Sequence, residues 1–93
     1  MSVDCRKRVI VSGRVQGVGF RYFVYRLAQN YPITGYVKNL PNGDVEILAE
    51  GERGIVEYFL DQAAKGPGFV YILDVKSIME TPQKDMTHFE IRY

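Results

Sequence analysis

Gly13-Arg14-Val15-Gln16-Gly17-Val18-Gly19-Phe20-Arg21-Tyr22-Phe23-Val24-Tyr25-Arg26-Leu27-Ala28 is the stretch that decides the fold. Three glycines within seven residues make its first half a loop. From Phe20 the apolar side chains take a helical period. Phe20, Phe23, Val24, Leu27, Ala28 and Tyr31 fall at i, i+3, i+4, i+7, i+8 and i+11, the full stripe of an amphipathic helix. Pro32 ends that helix, and Asn30 is its candidate C-terminal cap. Upstream, Val9-Ile10-Val11 is a β-branched run that predicts a first strand over residues 6–12.

Downstream, residues 35–40 and 44–50 predict two strands joined by Pro41-Asn42-Gly43. Asn-Gly tolerates positive φ at both positions, so a type I′ hairpin turn is expected. In the second of these strands Val45, Ile47 and Ala49 alternate with Glu46, Leu48 and Glu50, which predicts one buried face. A second helix opens within residues 51–54, with Val56, Phe59, Leu60 and Ala63 at i, i+3, i+4, i+7, and Gly66-Pro67 stops it. Residues 69–79 predict a fourth strand, Thr81-Pro82 a turn, and Phe89, Ile91 and Tyr93 a last alternating strand. The order βαββαβ predicts an α+β sandwich of ferredoxin-like type. Its two helices pack on one face of a mostly antiparallel sheet of four to five strands, in a single domain over residues 1–93. That fold hosts many functions, so function must come from the site.

Composition narrows the classes. Apolar residues are 46% and charged residues 25% of 93, which excludes a disordered chain. The single cysteine, Cys5, cannot form an internal disulfide, and it reads as a bland, partly buried thiol. The longest apolar run, residues 69–73, is far short of the ~20 that cross a bilayer, so no membrane partner is expected. Met1-Ser2-Val3-Asp4 lacks a signal peptide's apolar stretch, and a cytoplasmic location is expected. Net charge is +1, but residues 1–26 carry +5 and residues 27–93 carry −4. The asymmetry suggests an anion at the N-terminal quarter, although Arg6 and Arg8 also fit the wet face of a first strand.

The loop before the first helix is where such an anion fits. A helix start leaves backbone N–H groups unpaired, and the helix dipole adds positive potential there. Glycines let the loop turn its own N–H groups into a concave nest, and Arg21 in the first turn offers a planar fork of donors. The spacing matches neither GxxxxGK[ST] nor GxGxxG.

As written, residues 13–21 closely resemble the signature of the acylphosphatases, which hydrolyse acyl phosphates to a carboxylate and inorganic phosphate. A second match is Gly35-Tyr36-Val37-Lys38-Asn39, followed by Asn42-Gly43, Val45 and Glu50-Gly51. Gly66-Pro67 and the closing Phe89-Glu90-Ile91-Arg92-Tyr93 also match, so the resemblance covers about residues 6–93. It departs at Gly68 and Val70, where the family often has proline and alanine. The resemblance implies a phosphate cradle from Gln16, Gly17, Val18, Gly19, Phe20 and Arg21. It further implies that Arg21 binds substrate and that Asn39 holds the attacking water.

The scarcity of other catalytic groups fits that chemistry. His88 is the only histidine and reads as structural or solvated, and no acid dyad or metal-ligand cluster stands out. An acyl phosphate expels a carboxylate, which is stable without a donated proton, so a general acid is dispensable. Fixed N–H dipoles and one arginine stabilise the phosphoryl charge, and an oriented water attacks. An amide cannot take the water's proton at neutral pH; either the substrate phosphate accepts it or deprotonation is late. No cofactor is expected. The expected partners are a small acyl phosphate and its phosphate product, with no nucleic acid, and the chain as a monomer.

Two rival readings remain. Residues 19–25 faintly match the RNP1 pattern of RNA-binding domains, and Tyr22, Tyr25, Tyr36 and Tyr71 suggest base stacking. RNP1 is a strand, whereas the stripe through Phe20, Phe23, Val24 and Leu27 is helical. The other rival is a non-catalytic anion-binding regulatory module on the same fold, as acylphosphatase-like domains also open the large carbamoyltransferases of hydrogenase maturation.

Overall fold

Alternation along one strand orients the whole sheet. In β1 (Asp4–Arg14) Cys5, Val9 and Val11 are buried on one side, and Arg6, Arg8 and Ile10 turn to the other. The structure, a computed structural model, describes residues 4–17 and 19–93. β1 is followed by α1 (Phe20–Ala28), β2 (Thr34–Asn39), β3 (Val45–Glu52), α2 (Arg53–Lys65), β4 (Tyr71–Glu80) and β5 (Phe89–Arg92). These strands form one sheet in the order β4-β1-β3-β2-β5. All neighbours pair antiparallel except β5, which runs parallel to β2. The ferredoxin-like α+β architecture is therefore present with five strands.

Both helices lie on the Val9 side of the sheet, α1 against β2 and β5 and α2 against β1 and β3. The helical stripes carry the packing. Phe20, Val24 and Ala28 of α1 are buried, and Phe23, Leu27 and Tyr31 pack at the rim of the core. In α2 the buried set is Val56, Phe59, Leu60 and Ala63. α1 stops at Ala28, shorter than its stripe, and Gln29 rather than Asn30 is its cap. The Asn30 amide instead donates to the Leu27 carbonyl, which draws the chain into the turn before Pro32.

The hairpin turn differs from expectation. Gly43 has positive φ but Asn42 does not, and the Gly43 N–H donates to the Leu40 carbonyl. This is a three-residue loop closed by a positive-φ glycine, not a two-residue type I′ turn. Asn42 Oδ1 accepts from the Asp44 N–H, a local side-chain bond that competes with the tighter turn.

The helix-free face of the sheet is also partly covered, against the expectation of one wet face. Leu48 is fully buried and Glu50 is 6% exposed. Residues 81–88 cross that face, and the Glu50 carboxylate accepts the Gln83 and Lys84 N–H groups at 3.1 and 2.8 Å. Arg6 reaches Glu50, Glu80 and Asp85, and Arg8 reaches Glu46, Glu80 and the Tyr36 hydroxyl. Hydrogen bonds from Arg8, then Arg6, hold the Glu80 carboxyl below its usual range despite burial. Arg6 and Arg8 are therefore neither free wet groups nor part of an anion site. Replacing Glu50 by Ala leaves two backbone donors without their acceptor and takes one of three carboxylates from Arg6, and should cost about 3 kcal/mol. Urea unfolding checks this; a loss below about 1 kcal/mol would show that the carboxylate does not anchor residues 81–88.

Candidate functional site

Strand direction decides where the polar residues gather. β1, β2 and β5 all run the same way, because β3 is antiparallel to both β1 and β2, and β5 is parallel to β2. Their C-terminal ends share one edge of the sheet, so the loop after β1, Asn39 at the end of β2, and Tyr93 after β5 come together. They line a cleft of about 220 Å3 with Gly17, Gly19, Phe20 and Arg21. Asn39 follows Val37 on the helix side of β2. Its side chain therefore lies under the start of α1.

The start of α1 is built to leave its donors free. Gly19 occupies the N-cap with φ 81°, and no side chain caps the helix among the described residues. Gly17 also has positive φ, at 73°. A side chain at either position would meet open space but would strain the backbone, by roughly 1–2 kcal/mol for a left-handed residue. The other helix shows the contrast: Glu52 caps α2 by accepting from the Gly54 and Ile55 N–H groups, both at 3.1 Å. One helix start is filled by its own carboxylate, and the other faces the cleft.

Arg21 supplies the cation. Its Nη1 donates to the Arg92 carbonyl at 3.2 Å, and its guanidinium lies 4.7 Å from the centre of the Tyr93 ring. These contacts fix the fork while most of its five N–H donors stay available. Asn39 is the second notable group. Its Oδ1 is buried and has no hydrogen-bond partner among the described residues. A buried acceptor left unmatched costs about 1–3 kcal/mol, so its place in a cleft wall implies a donor brought from outside the protein.

Gln16 stands apart from the other expected cradle residues. Its Nε2 turns away from the cleft and donates to the Leu40 and Asp44 carbonyls, each at 2.8 Å. The side chain ties the loop to the hairpin just beyond Asn39. Val18 lies outside the described residues. The structure brings together Gly17, Gly19, Phe20, Arg21 and Asn39. It also adds Val15, Tyr22, Ile91 and Tyr93, which were not foreseen as lining residues. Ile91 and Tyr93 share one side of the last alternating strand, but only the parallel β2–β5 pairing places that side beside Asn39.

The acylphosphatase family model matches residues 7–91. The chain belongs to the acylphosphatase family. It is 47% identical over 87 residues to an acylphosphatase of Bacillus licheniformis, covering 92% of this chain and 96% of that one. The crystal structure of acylphosphatase from Bacillus subtilis superposes with a TM-score of 0.89 at 39% identity, covering 96% of this chain and 99% of that one. Full-length HypF, in a phosphate- and nucleotide-bound form, matches all of this chain with 12% of its own length, at 29% identity and a TM-score of 0.88. The protein is an acylphosphatase, a hydrolase of the carboxyl–phosphate bond. Its substrate is a small-molecule acyl phosphate.

The Gln16 tie has a measurable consequence for this acylphosphatase. Gln16→Ala removes both bonds to the hairpin and should lower stability by about 1–2 kcal/mol, together with turnover. Thermal or urea unfolding beside an assay of hydrolysis checks this. Unchanged stability with lost phosphate affinity would instead make Gln16 a direct phosphate contact.

Proposed function

We propose that the backbone N–H groups of Gly17 and of Gly19, Phe20 and Arg21, with the Arg21 guanidinium, hold the substrate phosphoryl group, and that Asn39 positions the attacking water. The single observation that carries this reading is the buried, unpartnered Asn39 Oδ1 in the wall of a cleft that also holds an uncapped helix start and Arg21. A water donating to Oδ1 keeps a lone pair directed at phosphorus, and orientation of this kind supplies part of the acceleration. The water oxygen bonds to phosphorus as the bond from phosphorus to the carboxyl oxygen breaks. The carboxylate departs with that electron pair. No base lines the cleft among the described residues, so the water's proton passes to a phosphate oxygen. Negative charge spread over the equatorial oxygens meets donors that are already in place, and no reorganisation is needed during the step.

The cleft walls suit this division of labour. Val15, Phe20 and Ile91 exclude water from the sides, and Tyr22 and Tyr93 stand exposed at the mouth, where the acyl part lies.

Arg21→Ala should cut turnover of benzoyl phosphate roughly 10²–10³-fold and weaken phosphate binding as well. Near-normal turnover by that variant would remove Arg21 from the mechanism. Asn39→Ala should lose about 10²-fold in turnover yet bind inorganic phosphate as the parent does, because the cradle is intact. Calorimetric titration with phosphate separates the roles; binding lost in Asn39→Ala would make that residue part of the cradle.

A further inference from the structure

The first helix carries charge of one sign only. No Asp or Glu falls between Asp4 and Asp44, so α1 and the segments on either side of it hold cations without acids. Two of these cations, Arg21 and Arg26, are on α1 itself. Among the described residues five cations make no ion pair: Arg14, Arg21, Arg26, Lys38 and Lys76. Of the five, Arg21 lines the cleft, and Arg26 is hydrogen-bonded to the side chain of a residue that does.

That bond runs from Arg26 Nη1 to the Tyr22 hydroxyl, at 3.1 Å. Helical side chains lean toward the helix N-terminus, so the guanidinium is carried back toward the phosphate cradle rather than away from it. Tyr25 stacks on the Tyr22 ring, with centres 6.4 Å apart, and restrains it. Tyr22 thus joins the cleft wall to a second guanidinium. In sequence Arg26 looks like any cation on the wet side of a helix, and its bond to Tyr22 sets it apart.

We propose that Arg26 is a specificity-determining residue, which receives a carboxylate carried at the far end of the substrate's acyl part. This role rests on the phosphoryl group lying in the cradle beside Arg21. Arg26 stands five residues beyond Arg21, about 7.5 Å further along the helix axis. An acyl phosphate held by its phosphoryl group at the helix start projects its acyl part out of the mouth, beside Tyr22. A carboxylate several bonds from the carbonyl then comes level with Arg26, whose remaining N–H donors form a fork for its two oxygens. One unpaired guanidinium matches the single charge of a carboxylate. The favoured substrates are therefore acyl phosphates of dicarboxylic acids, phosphorylated at one end.

Benzoyl phosphate and 4-carboxybenzoyl phosphate test this, because the second carboxylate extends the molecule along the ring axis and changes the leaving group little. The quantity read is the ratio of their kcat/KM values at low salt, each first divided by the spontaneous hydrolysis rate. The parent should favour the 4-carboxy substrate about three- to fivefold, the worth of an exposed ion pair. The preference should fade in about 0.5 M salt. Arg26→Gln should bring the ratio to about one, and Arg26→Glu should carry it below one, whatever common factor either variant applies to both substrates. A merely structural Arg26 would change both rates alike and leave the ratio as it is. Arg14→Gln removes an equal charge at the entry to the glycine loop and should keep the parent ratio. A parent ratio of one, a ratio kept by Arg26→Gln, or an equal loss in Arg14→Gln overturns the proposal. Arg21→Ala separates this failure from that of the cradle: loss of turnover on both substrates leaves the cradle standing, and retained turnover on both removes it and the role of Arg26 together.

Discussion

The site depends on two carbonyl oxygens, those of Leu40 and Asp44, being held by one carboxamide. Gln16 reaches both at 2.8 Å, and these bonds cross between segments that neither pair in the sheet nor adjoin in the chain. On one side is the glycine loop, whose backbone conformation is costly and whose donors are left free. On the other is the end of β2, where Asn39 lies one residue before Leu40. A hydrogen bond of this kind contributes only about 1 kcal/mol to stability, yet its distance is fixed to tenths of an ångström. The in-line attack proposed for this cleft needs that fixed distance more than it needs stability.

The same economy appears in the charges. Residues 1–26 hold six cations, and of these only Arg21 lines the cleft. Arg6 and Arg8 are bound into carboxylates on the helix-free face, where Arg6, through Asp85 and through Glu50, fastens residues 81–88 and with them the approach to β5. That anchoring matters to the cleft because β5 delivers the Arg92 carbonyl that orients Arg21, and the Tyr93 ring beside it. The cation of the cleft is thus aimed by a strand whose incoming chain is held by Arg6 and Glu50 on the opposite face. In the proposed reading one arginine is enough at the cleft, because the helix start and its loop provide the remaining donors.

Sequence patterning made the helices and their buried faces legible, since Val56, Phe59, Leu60 and Ala63 depend only on a local period. The glycine loop, Arg21 and Asn39 were legible for a different reason: two separated motifs resemble one family, and the topology then brings them to one cleft. Features set by nonlocal partners were not readable. Leu48 and Glu50 sit at polar-face positions of their strand yet are buried, Glu50 under residues 81–88 crossing above it. The side chain of Gln16 adjoins the cradle in sequence, but its bonds go to the hairpin. The turn at Asn42 followed a side-chain bond to Asp44 that dipeptide preference does not encode.

The two edges of the sheet are put to different uses, and strand direction explains why. β5 is parallel to β2, so its C-terminal end arrives at the same edge as the loop after β1 and completes the cleft. β4 runs the opposite way, and its start rather than its end adjoins that loop, at Gly13 and Ile72. It therefore brings its N-terminal end to the cleft side and carries no residue that lines the cleft. Its exposed side chains are mostly apolar, with one acid and one base two residues apart.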